Sequence, residues 1–398
     1  MESTHKYKIA IAANANMVGG VEEALVQLLK NLNYDKCSVT LFGEINDYYR
    51  ERIPSKVEII STQSSVTAMV RQLFASKRYL SCFGYLAHSV VCKLLYHLNK
   101  KDRQAYLSMR SYRYLPKLTE QNYDLVIAYT YLVASIVGNA GYRINASQRV
   151  LWVHGESNPI KVAKSLDKNI YNRFNTVFCC SEAIASKYKQ LYPRSGKKAK
   201  VFYNIADVER IKTSACEPID LVMHTPSIVT VGRLSEEKGQ QIIPKTVRLL
   251  LDAGYTIHWY LVGDGPLRKR IEQEIQVNTV SDHVTLLGSQ TNPYPYIKQS
   301  DIYVQPSFTE GYCTTTVEAK ILCKPIITTD APGMREQIIP HQTGLITDAF
   351  TSESLFENIV YLLDSPEIAE ALSANLQSES QSKVCELEKL YDLLENFR

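Results

Sequence analysis

At 398 residues the chain is too long for one typical domain and suits two of roughly 150 to 200 residues, each able to bury a core. Lysine and arginine number 45 against 41 acids, a modest net charge of +4, and no apolar run is long enough to span a bilayer, which excludes an integral membrane protein. The nine cysteines form neither a CxxC pair nor a His/Cys cluster, which excludes a disulfide or zinc framework. Their odd count, with no secretory leader, points to a reducing cytoplasm.

In chain order, Tyr7 to Ala13 reads as a first strand. Asn14 to Glu22 reads as a loop leading into an amphipathic helix from Glu22 to Leu32. Gly19 and Gly20 stand at that helix start, where a glycine pair lets backbone amides approach a phosphate or sugar; a tight turn uses the same pair. The two further glycines of a dinucleotide loop are missing, which disfavours a nicotinamide dehydrogenase. Between Arg71 and Lys117 stand ten lysines or arginines and a single acid, Asp102, interleaved with Tyr79, Phe83, Tyr85, Tyr96, Tyr106, Tyr112 and Tyr114. Segment 71–117 reads either as a solvated helical face over the first sheet or as a surface that rests on anionic lipid. No nucleic-acid module accompanies it, so nucleic acid is not an expected partner.

Leu151 to Glu156 reads as another strand, with His154 at its carboxyl end. A histidine there serves as readily as a structural donor as in a site, and Glu156 is also what helix capping selects. Glu217-Pro218 and Thr225-Pro226 interrupt the periodicity before the next strand. The expected division is therefore a first domain over 1–207, a linker or hinge over 208–226, a second domain over 227–380, and a terminal helix over 381–398.

The second half repeats one grammar of strand, glycine turn and helix. Val229 to Gly239 places Arg233 and Lys238 on one strand-to-helix loop before a helix from Gln241 to Leu251. Arginine supplies a planar fork and lysine a point charge, a pair able to hold a diphosphate without metal. Trp259 to Leu267 follows, with Gly263 and Gly265 in the turn and Pro266 suited to a first helical turn. Ser300 to Ser307 reads as a short buried strand closed by Pro306, and Thr315 to Leu322 as a helix, with Glu318 two turns in. Amides of Gly311, Tyr312, Cys313 and Thr314 then surround a helix N-terminus, an anion site at the carboxyl end of a strand. Carboxylates beside an anion site must grip hydroxyls instead. Glu310 and Glu318 suit the sugar and ribose hydroxyls of a nucleotide sugar, against the plainer reading that acids complement a helix dipole. Cys313 stands there as a shaping residue of a sugar pocket or as a small buried thiol.

Gly232-Arg233 with Lys238, Gly263-Asp264-Gly265-Pro266, and Glu310 with Glu318, in this order and spacing, resemble the signature of retaining GT-B glycosyltransferases of family four. The resemblance is strongest from Ile228 to Gly344. It departs at Pro332 and Ile205, where glycine would be usual, and at Cys313. What it implies is an α/β fold of two facing Rossmann-like domains with a cleft between them and a last helix crossing back to the first domain. It also implies a donor held mainly by the second domain and an acceptor held mainly by the first.

Under that resemblance Arg233 and Lys238 stabilise the departing diphosphate, Glu310 orients the donor sugar and Glu318 binds ribose. His154 supports the reacting sugar, and Gly19 with Gly20 closes over the phosphates. The expected substrate is a nucleotide sugar, a UDP sugar first, with no further cofactor and no metal, since no Asp-x-Asp motif is present. The expected acceptor is a glycan, glycolipid or polyprenyl-linked molecule of polysaccharide biosynthesis, met in the cytoplasm or at the inner face of the cell membrane. The rival reading is a catalytically silent transferase-like subunit, which would lack a donor contact; Arg233, Lys238, Glu310 and Glu318 are all present. An oxidoreductase or epimerase would need a full dinucleotide loop and a Tyr-x-x-x-Lys pair.

Overall fold

Strands buried on both faces carry continuous apolar runs, and connecting parallel strands requires crossover helices. Both halves of the chain follow that rule. The computed structural model describes residues 6–16, 19–62, 66–75, 77–98, 111–130, 133–155, 170–378 and 384–396. Glu156 and residues 99–110 of the basic segment lie outside them.

The chain divides into two compact units, Met1–Ile205 with Val384–Arg398, and Ala206–Lys383. The first contains β1 (Tyr7–Ala12), β2 (Cys37–Phe42), β3 (Val57–Ile60), β4 (Asn122–Thr130), β5 (Asn145–Val153), β6 (Thr176–Cys179) and β7 (Ala199–Val201). They form a parallel sheet in the order β3-β2-β1-β4-β5-β6-β7. The second contains β8 (Ser227–Val231), β9 (His258–Val262), β10 (Val284–Gly288), β11 (Ile302–Gln305), β12 (Ile326–Thr329) and β13 (Leu345–Thr347). These are parallel in the order β10-β9-β8-β11-β12-β13. Each is a Rossmann-like layer whose strand order reverses once, between β1 and β4 in the first sheet and between β8 and β11 in the second.

In the first unit, α1 (Gly20–Asn31) buries Val21, Leu25, Leu28 and Leu29 against the sheet. Helices α2 (Val66–Ala75) and α3 (Tyr79–His97) pair over a separate small core of Met69, Leu73, Cys82, Tyr85, Tyr112 and Leu115. In the second unit, α4 (Ile243–Asp252), α5 (Arg268–Val277) and α6 (Thr314–Ile321) follow β8, β9 and β11. The terminal helix α7 (Val384–Glu395) packs on the first unit: Leu390, Leu393 and Leu394 enter the core that holds Ile9 and Leu25. Tyr391 accepts a hydrogen bond from the Asn33 amide at 2.7 Å, and Glu386 one from the Tyr203 amide at 2.7 Å.

Two expectations need correction. Residues 208–226, read as a linker, are folded onto the second unit. Val208–Ser214 is helical, and Ile211 and Ala215 are buried in a core with Val229 and Tyr260. The prolines that break periodicity there bound a packed segment. Glu318 is the fifth residue of α6, so it sits just over one turn into the helix, because that helix begins at Thr314.

Candidate functional site

Open α/β sheets bind ligands beyond the carboxyl ends of their strands, where the strand order reverses. In the second unit that place is filled by the loops after β8 and β11, Gly232 to Gly239 and Pro306 to Cys313. Glycine decides how closely these loops meet. A Cβ on Gly239, whose φ is 71°, would stand 1.8 Å from the Pro306 carbonyl oxygen, and one on Gly263 would stand 2.0 Å from that of Gly232. The Phe308 amide then donates to the Glu237 carbonyl at 2.9 Å, and the Leu234 amide to that of Asp264 at 3.0 Å. Three loops, after β8, β9 and β11, are thus fastened into one platform. Gly263 serves close packing of two backbones here.

On that platform the Lys238 ammonium donates to Glu310 Oε1 at 2.6 Å, with the two side chains 21% and 8% exposed. Ser307 donates to the same oxygen at 2.6 Å. Behind Ser307 stands Gln305, whose Nε2 donates to the Ser307 hydroxyl at 2.9 Å and whose Oε1 accepts from Tyr303 at 2.6 Å and Thr315 at 3.1 Å. Burial pushes the Tyr303 hydroxyl well above its ordinary pKa, so it stays protonated and keeps donating. The chain of donors runs one way, from Tyr303 through Gln305 and Ser307 to Glu310. All its hydrogen bonds to the carboxylate fall on Oε1, and among the described residues Oε2 takes none.

Arg233 lies at the edge of the platform, half exposed, its guanidinium donating to Glu237 at 2.9 Å. A surface pair of this kind contributes about 0 to 1 kcal/mol, so the guanidinium is easily turned to another anion. Helix α6 opens beside Glu310. Its N-cap, Cys313, makes no side-chain cap, which leaves first-turn amides without that partner. Burial raises the pKa of the Cys313 thiol, and the side chain packs with Ala331 and Met334, so it is a small packing group there. Gly311, Tyr312 and Thr314 are half-buried around the helix start, and Glu318 is buried on α6.

The first unit holds the remaining expected residues at the carboxyl ends of its own sheet. His154 follows β5; its ring is tilted by 43° against Tyr129 at a centroid distance of 4.0 Å and lies near-parallel to Trp152 at 5.9 Å. Among the described residues, neither buried ring nitrogen has a hydrogen-bond partner of normal geometry. Burial lowers the imidazole pKa to about 3, against a small opposing effect of Asn204, so the ring is neutral near pH 7. Gly19, in extended backbone at the start of α1, donates its amide to the Tyr49 hydroxyl at 3.2 Å, and Gly20 opens the helix. A small, partly open pocket beyond the carboxyl ends of β1, β2 and β3 is lined in part by Asn14, Glu44, Thr62, Ser135 and Asn139.

The structure therefore brings Arg233, Lys238, Gly263, Glu310, Gly311, Tyr312, Cys313, Thr314 and Glu318 to one edge of the second sheet. It places Gly19, Gly20 and His154 at the corresponding edge of the first. Sequence reasoning missed Tyr303, Gln305, Ser307 and Thr315. A signal was present, since a glutamine inside a four-residue strand that is otherwise apolar must find partners when buried.

Residues 18–210 match the family model Glycosyltransferase Family 4, and residues 217–379 match Glycosyl transferases group 1, so the two models together span most of the chain. An uncharacterized glycosyltransferase of Methanocaldococcus jannaschii is 24% identical over 335 residues, covering 74% of this chain and 82% of the relative. The N-acetylgalactosamine-N,N'-diacetylbacillosaminyl-diphospho-undecaprenol 4-alpha-N-acetylgalactosaminyltransferase of Campylobacter jejuni is 24% identical over 223 residues, 56% of this chain and 60% of that enzyme. Among solved structures, Anabaena HepE in complex with UDP superposes with a TM-score of 0.66 at 19% identity, covering 98% of this chain and all of the other.

Proposed function

Because the chain belongs to the GT-B glycosyltransferases of family four, we propose that it transfers a glycosyl group from a UDP sugar, with retention of anomeric configuration, to a glycan or lipid-linked acceptor. The observation that carries the donor half is the Lys238–Glu310 pair beside the start of α6, with Glu310 fixed through one oxygen and open at the other. Oε2 of Glu310 accepts from hydroxyls of the donor sugar, and Glu318 from the ribose. The amides at the start of α6, with Arg233 and Lys238, take the diphosphate. Two cations at the leaving group supply the charge that a metal would otherwise bring, so no divalent ion is needed. UDP is the preferred nucleotide because the fold neighbour from Anabaena holds it.

In the transfer, the bond from the anomeric carbon to the diphosphate oxygen breaks while the acceptor oxygen bonds to the same face of that carbon. The acceptor proton passes to the departing phosphate oxygen, so no side chain forms a covalent sugar intermediate. His154 is neutral, with two ring nitrogens that lack partners among the described residues, which suits it to a hydroxyl of the reacting sugar and not to the role of a charged acid. Gly19 and Gly20 close on the phosphates. The setting is polysaccharide or glycoconjugate synthesis, in the cytoplasm or at the inner face of the cell membrane; the Campylobacter relative is named for an undecaprenol-linked acceptor.

The test is incubation with UDP hexoses and N-acetylhexosamines plus polyprenyl diphosphate-linked sugar acceptors, with and without a chelator, and NMR of the product. An α-linked product from an α-linked donor, formed equally with chelator, is expected. A β-linked product contradicts retention, and loss of turnover with chelator contradicts metal independence. Tight UDP binding with no turnover on any acceptor would favour the silent-subunit reading.

A further inference from the structure

A helix lying on a soluble protein presents polar residues to water and one apolar stripe to the core. Helix α3 breaks that rule. Its inner side, with Cys82 and Tyr85, packs on Met69, Leu73, Tyr112 and Leu115. Its outer side is also apolar: Leu80 is 93% exposed, Phe83 76%, Leu94 57% and Leu98, just past its end, 55%, with Val91 between them. The spacing of these positions is that of a single stripe along one helical face. Nineteen residues make a rod of about 28 Å. No described helix is long and apolar enough to cross a membrane, so α3 is not a span.

Charge decides what covers the stripe. Arg71, Lys77, Arg78, Lys93 and Arg113 are exposed around it, and no described residue from Val66 to Lys117 is acidic. A second copy packed helix to helix would set Lys77, Arg78 and Lys93 against their own kind. A bilayer with anionic headgroups satisfies both features at once, since hydrocarbon receives the stripe while phosphates receive the cations. We propose that α3 is the docking element of this protein for an anionic lipid bilayer, lying in the membrane plane with Leu80, Phe83, Val91 and Leu94 in the acyl boundary. Lys77, Arg78 and Lys93 then sit at headgroup depth. The inference deepens the proposed function and rests on it for one point only, that a docked enzyme there meets a lipid-linked acceptor.

The experiment is co-sedimentation of the full chain with vesicles of phosphatidylcholine alone or with about one third phosphatidylglycerol, at low and high salt, with UDP titrations run in parallel. Two variants are compared, Phe83→Ser with Leu94→Ser, and Arg78→Glu with Lys93→Glu; all four positions are exposed, so the fold is retained. Binding at least tenfold stronger to the anionic vesicles, reduced at least tenfold by either variant and weakened by salt, is expected. UDP affinity should be the same for all three proteins. No vesicle binding, equal binding to both vesicle types, or a salt-stable dimer that the Phe83→Ser, Leu94→Ser variant dissolves would overturn the proposal. Vesicle binding without UDP binding would leave the docking face standing and remove the donor reading; UDP binding without vesicle binding would do the reverse.

Discussion

The two sheets carry their functional edges in opposite states. At the carboxyl edge of the second sheet, three loops are fastened by glycine contacts and a one-way chain of hydrogen bonds, which ends with the Lys238–Glu310 pair at 2.6 Å. In the first unit, His154 is buried with both nitrogens unpartnered among the described residues, and α3 shows water an apolar stripe. The lesson is a division of labour. Under the proposed function the second half holds its donor residues through bonds within the fold, whereas the first half carries groups left unpaired or uncovered among the described residues.

The sharpest way to break that contrast is at Lys238. Lys238→Met should lower kcat/KM by about a thousandfold, near 4 kcal/mol of transition-state stabilisation, in the transfer assay. It also leaves the Glu310 carboxylate buried without its cation, which should cost the second domain about 3 to 5 kcal/mol, read as a lowered midpoint in urea. Adding Glu310→Gln to that variant should recover most of the stability and none of the activity. Recovery of both would mean that the pair only props up the loops.

Arg233→Met comes next. Its ion pair with Glu237 is exposed, so stability should stay within about 0.5 kcal/mol while kcat/KM falls about a hundredfold through the lost diphosphate contact. Unchanged kinetics would remove Arg233 from the donor site. Ser307→Ala tests the positioning chain: it frees Glu310 Oε1 from one donor, and kcat/KM should fall about tenfold with KM for the donor rising, while Ser307→Thr restores most of the loss.

The first domain supplies a test through pH. With the His154 pKa lowered to about 3 in the folded protein and near 6.5 when unfolded, only the unfolded chain takes up that proton between those values. Stability of the first domain should therefore be full above about pH 6.5 and fall on acidification, on the order of 1 kcal/mol per pH unit below it. His154→Gln should flatten that slope in urea titrations from pH 7 to pH 4; an unaltered slope would assign it to another group.

Legibility in the sequence followed the same division. The placement of the loops proposed to hold the donor could be read because it is local: Gly232-Arg233 with Lys238 sits on one turn, and Glu310 with Glu318 straddles one helix start. The strands could be read because parallel strands buried on both faces leave continuous apolar runs, as in Ile302-Tyr303-Val304. The positioning role of Gln305 and Ser307 could not, since it depends on Tyr303 and Thr315 meeting them in the fold. Nor could the packed state of 208–226, where tertiary burial of Ile211 and Ala215 outweighs the proline signals. The basic, aromatic character of 71–117 was visible, but the side of α3 left uncovered depends on which face Met69 and Tyr112 occupy.

The most direct test of the central claim is calorimetric titration of UDP, GDP and ADP into the protein and into Glu318→Ala. Saturable binding of UDP, weakened at least tenfold in the variant with its thermal unfolding unchanged, is predicted. Failure of every nucleotide to bind, or UDP affinity unaltered by Glu318→Ala, would contradict a donor site at the edge of the second sheet.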